Sequence, residues 1–142
     1  MSICVDSSFL VSKYIPDTHS AEADRRMPPK PIIWLTPLNY TEFAHAIHQY
    51  VFRKAITTAD ARLIWADFER DCAQGIWSQI DLPEETWETS VDLARRFGPV
   101  LGVRTLDSLH VACALELKAR RFWTFDERQA KLAEAVGLNT AP

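Results

Sequence analysis

Apolar residues in this chain fall into short runs separated by longer stretches of helical spacing. Ile3-Cys4-Val5, Ile32-Ile33-Trp34-Leu35 and Phe122-Trp123-Thr124-Phe125 are too short to be helices and read as buried strands over 2–5, 32–35 and 122–125. A fourth strand is expected over 76–82, although Trp77 and Gln79 break its pattern. Phe9, Leu10 and Tyr14 suggest a short helix stopped by Pro16, and a second helix runs from about Thr18 to Arg26 with Thr18 or Ser20 as its cap. Met27-Pro28-Pro29-Lys30-Pro31 cannot be helix interior and is a connector. Pro37 and Asn39 lead into a long helix with Tyr40, Phe43, Ala44, Ile47 and Val51 on one face. The capping pair Thr57 and Asp60 opens another helix, closed by Gly75. Pro83, at a first helical position, begins a helix that should end at Gly98-Pro99. Leu106, Leu109, Cys113 and Leu117 form the stripe of a buried helix with Thr105 as N-cap, ending near 118–120. Glu127 to Val136 is the last helix, closed by Gly137, and Leu138 to Ala141 offers an edge strand.

Strands alternating with helices predict an α/β fold with a short parallel central sheet and helices on both faces. At 142 residues the chain is one domain, 1–142, with a real core. In such sheets the functional crevice lies beyond the carboxyl ends of the strands. Asp6 and Asp126 both stand there, directly after strand-like runs.

Composition narrows the class. A net charge of −3 argues against broad basic binding of nucleic acid, but not against a small site that meets phosphate through metal ions and a few arginines. No apolar run approaches bilayer length, and the apolar start meets Asp6 at once, so neither a membrane span nor a signal peptide is expected. Cys4, Cys72 and Cys113 have no metal-ligand spacing and read as buried small residues of a reducing, cytoplasmic protein.

The chemistry lies in four acids. Asp107 sits in the first turn of a helix whose neighbours are almost all apolar, where a bare carboxylate is costly unless paired, hydrogen-bonded or metal-bound. Each acid has an ordinary explanation: Asp6 and Asp126 as N-caps, Asp107 as a complement to the helix dipole, Glu42 as a surface ion-pair partner. One cause explains them together. Carboxylates gathered in one place repel and raise one another's pKa, and a divalent cation relieves that repulsion. Mg²⁺ or Mn²⁺ favours carboxylate and water ligands. Such a pocket suits phosphodiester hydrolysis, with one ion activating water and the same or a second ion, roughly 3.5–4 Å away, stabilising the leaving oxygen.

Val5-Asp6-Ser7-Ser8, Thr41-Glu42, Arg104-Thr105-Leu106-Asp107-Ser108-Leu109-His110-Val111-Ala112 and Thr124-Phe125-Asp126-Glu127-Arg128 resemble the PIN domain, and more closely VapC-type toxins of bacterial toxin–antitoxin pairs. The resemblance spans the chain. It implies a Mg²⁺- or Mn²⁺-dependent endoribonuclease, cutting tRNA or rRNA. Asp6 and Asp107 would be the chief metal ligands, with Glu42 and Asp126 completing the pocket. Ser7 and Thr124 match the family's small hydroxyl residues and would orient a carboxylate or a phosphate. The resemblance also implies a homodimer and a cognate VapB-like antitoxin, a segment of which plugs the acidic pocket with a basic side chain.

Two other readings compete. Glu42 and His45, like Asp107 and His110, have the spacing of carboxylate-bridged di-iron sites, but such bundles need long helices and leave Asp6 and Asp126 idle. A PIN-like module that only binds RNA or protein would not require four acids, since phosphate binding prefers lysine and arginine. Arg104 and Arg128, next to two of the acids, are candidates for phosphate contact or for pairing with an acid. His45, His48 and His110 are expected in or near the core, Trp34 and Trp123 in the core, and the pairs Arg25-Arg26, Arg53-Lys54, Arg95-Arg96 and Arg120-Arg121 at solvated helix ends.

Overall fold

The computed structural model describes residues 2–27 and 32–142. The proline-rich connector expected at 27–31 therefore lies, but for Met27, outside the described residues. Within them the chain runs β1 (Ser2–Val5), α1 (Ser7–Tyr14), α2 (Ser20–Arg26), β2 (Ile32–Leu35), α3 (Pro37–Phe52), α4 (Thr58–Ala73), β3 (Trp77–Gln79), α5 (Thr86–Leu101), α6 (Thr105–Glu116), β4 (Arg121–Trp123) and α7 (Glu127–Ala135).

The strands form one parallel sheet in the order β3-β2-β1-β4. Ile3 pairs with Ile33 on one side and Arg121 on the other, which puts the ends of β1, β2 and β4 at one edge. Strand alternation then divides the core in two. Ile3, Val5, Ile33, Leu35 and Trp123 face a cluster with Phe9, Phe43 and Phe68 from α1, α3 and α4. Cys4, Trp34 and Phe122 face the other cluster, with Leu93, Val111 and Leu132 from α5, α6 and α7. Helices cover both faces, as the alternation of elements predicts. Trp123 is buried, whereas Trp34 lies against the second cluster only partly covered.

Several boundaries differ from the sequence reading. The helix expected to end at Gly98-Pro99 continues to Leu101. Pro99 lies near its C-terminal end and removes only one N–H from the helix, and the actual stop is Gly102, in the left-handed region at φ 63°. Arg104, not Thr105, is the N-cap of α6. Leu106 is therefore 44% exposed rather than part of a buried stripe, and α6 is buried from Asp107 through Ala114. The second helix starts at Ser20, and the strand at 76–82 shortens to Trp77–Gln79. Leu138 to Ala141 contributes a single bridge, Arg121 to Asn139, rather than a strand.

Candidate active site

Four separate segments bring carboxylates to the carboxyl edge of the sheet. Asp6 follows β1, Glu42 lies in the second turn of α3, Asp107 in the first turn of α6, and Asp126 follows β4. All four line one cavity of about 170 Å³, together with Ser7, Ser8, Arg104, His110 and Gln129.

Each acid is held by its local structure. Asp6 caps α1, its Oδ1 accepting from the Phe9 amide at 3.2 Å and from the Ser8 hydroxyl at 2.6 Å. Its Oδ2 accepts from the Thr124 hydroxyl at 2.6 Å. Asp126 caps α7 in the same way, accepting from the Gln129 amide at 2.9 Å. Asp107 reaches back from the third position of α6 to the Arg104 amide at 3.2 Å. The helix carrying Glu42 is fixed by Asn39, which takes the Thr36 amide at 3.0 Å and donates to the Val5 carbonyl at 2.8 Å, beside Asp6. The caps expected at Asp6 and Asp126 are thus real, and the capping geometry is what aims these carboxylates.

Cations and donors divide unevenly among the acids. Arg104 Nε donates to Asp107 Oδ2 at 3.1 Å, and its Nη2 lies 3.5 Å from Asp126 Oδ2. His110 Nε2 hydrogen-bonds Glu42 Oε1, which also accepts from the Ser7 hydroxyl at 3.0 Å. Burial pushes the Glu42 carboxyl up, but the His110 and Ser7 hydrogen bonds and the nearby Arg104 charge outweigh it and hold it below its ordinary value. Among the described residues, no cation is in contact with Asp6. Burial raises its pKa, and the His110 charge and the donors Ser8, Thr124 and Phe9 only partly offset that.

Among the described residues, no three acid, histidine or cysteine side chains stand close enough to hold a metal ion as they are placed. The donor set nevertheless suits a hard divalent cation: four carboxylates on one cavity, one of them fully buried with a raised pKa. Arg104 supplies positive charge at this edge of the cavity, and His110 Nε2 meets Glu42.

Ser8, His110 and Gln129 are the site residues the sequence reading did not assign. Ser8 bonds Asp6 and accepts from the Phe125 amide at 2.9 Å, stitching β1 to β4. Buried Gln129 donates to the Asp107 carbonyl at 3.3 Å. The three-residue spacing of Asp107 and His110 signalled a shared helix face. It pointed to metal ligation, whereas His110 pairs with Glu42. His45 and His48 are exposed, not in the core, because they fall on the outer face of α3. His45 therefore does not join Glu42, and the di-iron pairing has no geometry here. Arg26 is not a solvated helix end either: it pairs with Glu22 and lies over the rings of Trp123 and Phe125. Arg128 is exposed and meets no acid of the cavity.

A model of the PIN domain matches residues 3–135. The chain belongs to the PIN domain family. Its fold is shared with Mycobacterium tuberculosis VapC20, a sarcin–ricin-loop-cleaving toxin (TM-score 0.72, 16% identity, 98% of each chain covered). It is also shared with FitAcB from Neisseria gonorrhoeae (TM-score 0.71, 11% identity, 99% of this chain and 96% of that one). VapBC2 from Rickettsia felis, bound to a promoter DNA fragment, is a third such structure (TM-score 0.67, 13% identity, 99% and 98%). No curated protein sequence matches the chain significantly. The chain places one acid after β1, one after β4 and one on each of α3 and α6 around one cavity. No helix among the described residues is long and apolar enough to cross a membrane.

Proposed function

We propose that this PIN domain is a divalent-metal-dependent endoribonuclease and acts as the toxin of a VapBC-type toxin–antitoxin pair. What supports the reading is one observation: carboxylates from four distant segments share a cavity in a fold whose family members are nucleases. Asp6 and Asp107 would be the chief holders of Mg²⁺ or Mn²⁺, with Glu42 and Asp126 completing the set. Bound there, the ions would supply Lewis-acid polarisation of the phosphodiester and an activated water.

The protein's own residues set the stage for that chemistry. Ser8 and Thr124 fix the orientation of the Asp6 carboxylate. Ser7 and His110 hold Glu42, and Gln129 braces the backbone of Asp107. Arg104 pairs with Asp107 and Asp126 in the metal-free protein and lines the cavity that would take the phosphodiester. The substrate class is RNA of the translation machinery, tRNA or rRNA. A VapB-like antitoxin and a second copy of this chain are the proposed partners. Exposed Trp87 and Val91, one turn apart on α5, leave apolar surface for such contacts.

The purified protein should cut RNA with Mg²⁺ or Mn²⁺ and not with chelator. Asp6→Asn and Asp107→Asn should each abolish cleavage and relieve growth arrest on expression. Cleavage by both variants at the unsubstituted rate rules the assignment out.

A further inference from the structure

Beside the carboxylate cavity lies a larger groove of about 520 Å³, walled by Val100, Leu101, Arg104, Asp126, Arg128 and Lys131. The two spaces share Arg104 and Asp126 as a common wall. The carboxylate cavity, at about 170 Å³, is below the usual range for ligand pockets, roughly 300–1,000 Å³, and the groove is within it. A polynucleotide with one phosphodiester among the acids must place its next atoms outside that cavity, and the groove is the space that opens from it.

The groove's chemistry differs from that of the acids. Arg128 and Lys131 stand three residues apart on one face of α7, and Arg104 faces them from the N-cap of α6. Among the described residues, neither Arg128 nor Lys131 pairs with an acid. Three cations thus line the groove against Asp126 and Glu127, in a chain whose net charge is −3. Glu127 belongs to the first turn of α7, where it complements the helix dipole. Asp126 is already engaged by the Gln129 amide and Arg104. Val100, 78% exposed, and Leu101 give the groove an apolar wall that suits a ribose or a base edge.

We propose that this groove is a second subsite, taking the phosphodiester next to the one cleaved and gripping it with Arg128 and Lys131. The proposal rests on the ribonuclease reading and adds Lys131 as a substrate-positioning residue. Arg104 sits where the two subsites meet, so one side chain can leave Asp107 and Asp126 for the phosphate between them.

The test is the affinity of the full chain for a short single-stranded RNA, measured by fluorescence anisotropy at several salt concentrations. An Asp6→Asn background prevents cleavage. Each phosphate contact on a single strand contributes about 0.7 to the slope of log affinity against log salt. Arg128→Ala with Lys131→Ala removes the grip on one phosphate and should lower that slope by about 0.7 and, in the cleaving protein, raise KM with little change in kcat. Arg53→Ala with Lys54→Ala, at the far end of α3, should leave both unchanged. Both residues of the groove pair are exposed, and an unchanged circular dichroism spectrum separates lost binding from lost fold. An RNA-cleaving protein whose slope and KM ignore the groove pair overturns the subsite and leaves the ribonuclease reading standing. A protein that cleaves no RNA with any divalent metal overturns both.

Discussion

Thr124 donates its hydroxyl hydrogen to Asp6 Oδ2 at 2.6 Å across 118 residues of sequence. That bond ties the end of β4 to the end of β1. The same hydroxyl oxygen accepts the Asp126 amide at 3.0 Å, so one side chain sets the places of two of the four acids. Thr124→Val removes the donor and the acceptor while keeping the shape. Leaving buried polar groups unsatisfied costs about 1–3 kcal/mol. Denaturant unfolding should therefore show a loss of that order for Thr124→Val and much less for Thr124→Ser. RNA cleavage should follow the same order.

Asp6 and Glu42 differ in what removing their charge does to the metal-free protein. Asp6 is buried, with no cation in contact among the described residues, and its pKa is raised. The proton it prefers when folded stabilises the protein below the ordinary carboxylate range, and that contribution is lost as pH rises through the raised value. At neutral pH its charge is a cost. In chelator at neutral pH, Asp6→Asn should melt a few degrees higher than the parent, a shift worth about 1 kcal/mol. The gap should close as pH falls toward the ordinary range.

Glu42 has the opposite sign. Its lowered pKa contributes stability above the ordinary glutamate value, lost as pH falls through the lowered one. Glu42→Gln should melt lower than the parent at neutral pH, because buried His110 loses its carboxylate partner. Scanning calorimetry of the two variants in the same buffer checks both signs. Equal shifts in one direction would contradict the uneven division of charge.

Arg104 competes with any cation for Asp107 and Asp126. Its side chain is 64% exposed, so the pairing belongs to the weak class, about 1 kcal/mol at most. Arg104→Ala should therefore bind Mn²⁺ more tightly, by roughly fivefold. Titration calorimetry reads this without reference to catalysis, and weaker Mn²⁺ binding by the variant would be the contrary result.

Chelation itself should not unfold the chain. The two hydrophobic clusters on either face of the sheet contain none of the four acids. Far-UV circular dichroism and the melting midpoint should change little when Mg²⁺ is removed; a cooperative loss of helix on adding chelator would contradict a site set apart from the core.

What was legible in the sequence follows from locality. Asp6 and Asp126 stand out because each ends an apolar run and caps the next helix within three residues. Asp107 shows itself in the same way, as the acid in the first turn of a mostly apolar helix. The pairing of His110 with Glu42 joins residues 68 apart and has no local signal. Gln129 reads as an ordinary helix polar residue until α7 packs on α6 and buries it. The end of α5 was misplaced because Pro99 breaks the hydrophobic pattern, whereas near a helix end it costs only one backbone bond. Leu106 misled for a related reason: moving the cap from Thr105 to Arg104 turns the first position of the stripe outward.

The central claim is that carboxylates from four segments share a cation. Anomalous diffraction from a crystal soaked in manganese tests it directly. The account predicts a manganese peak in the cavity among Asp6, Glu42, Asp107 and Asp126, with Arg104 turned away from Asp107. Well-ordered side chains with no peak among them, or manganese bound only elsewhere, would contradict it.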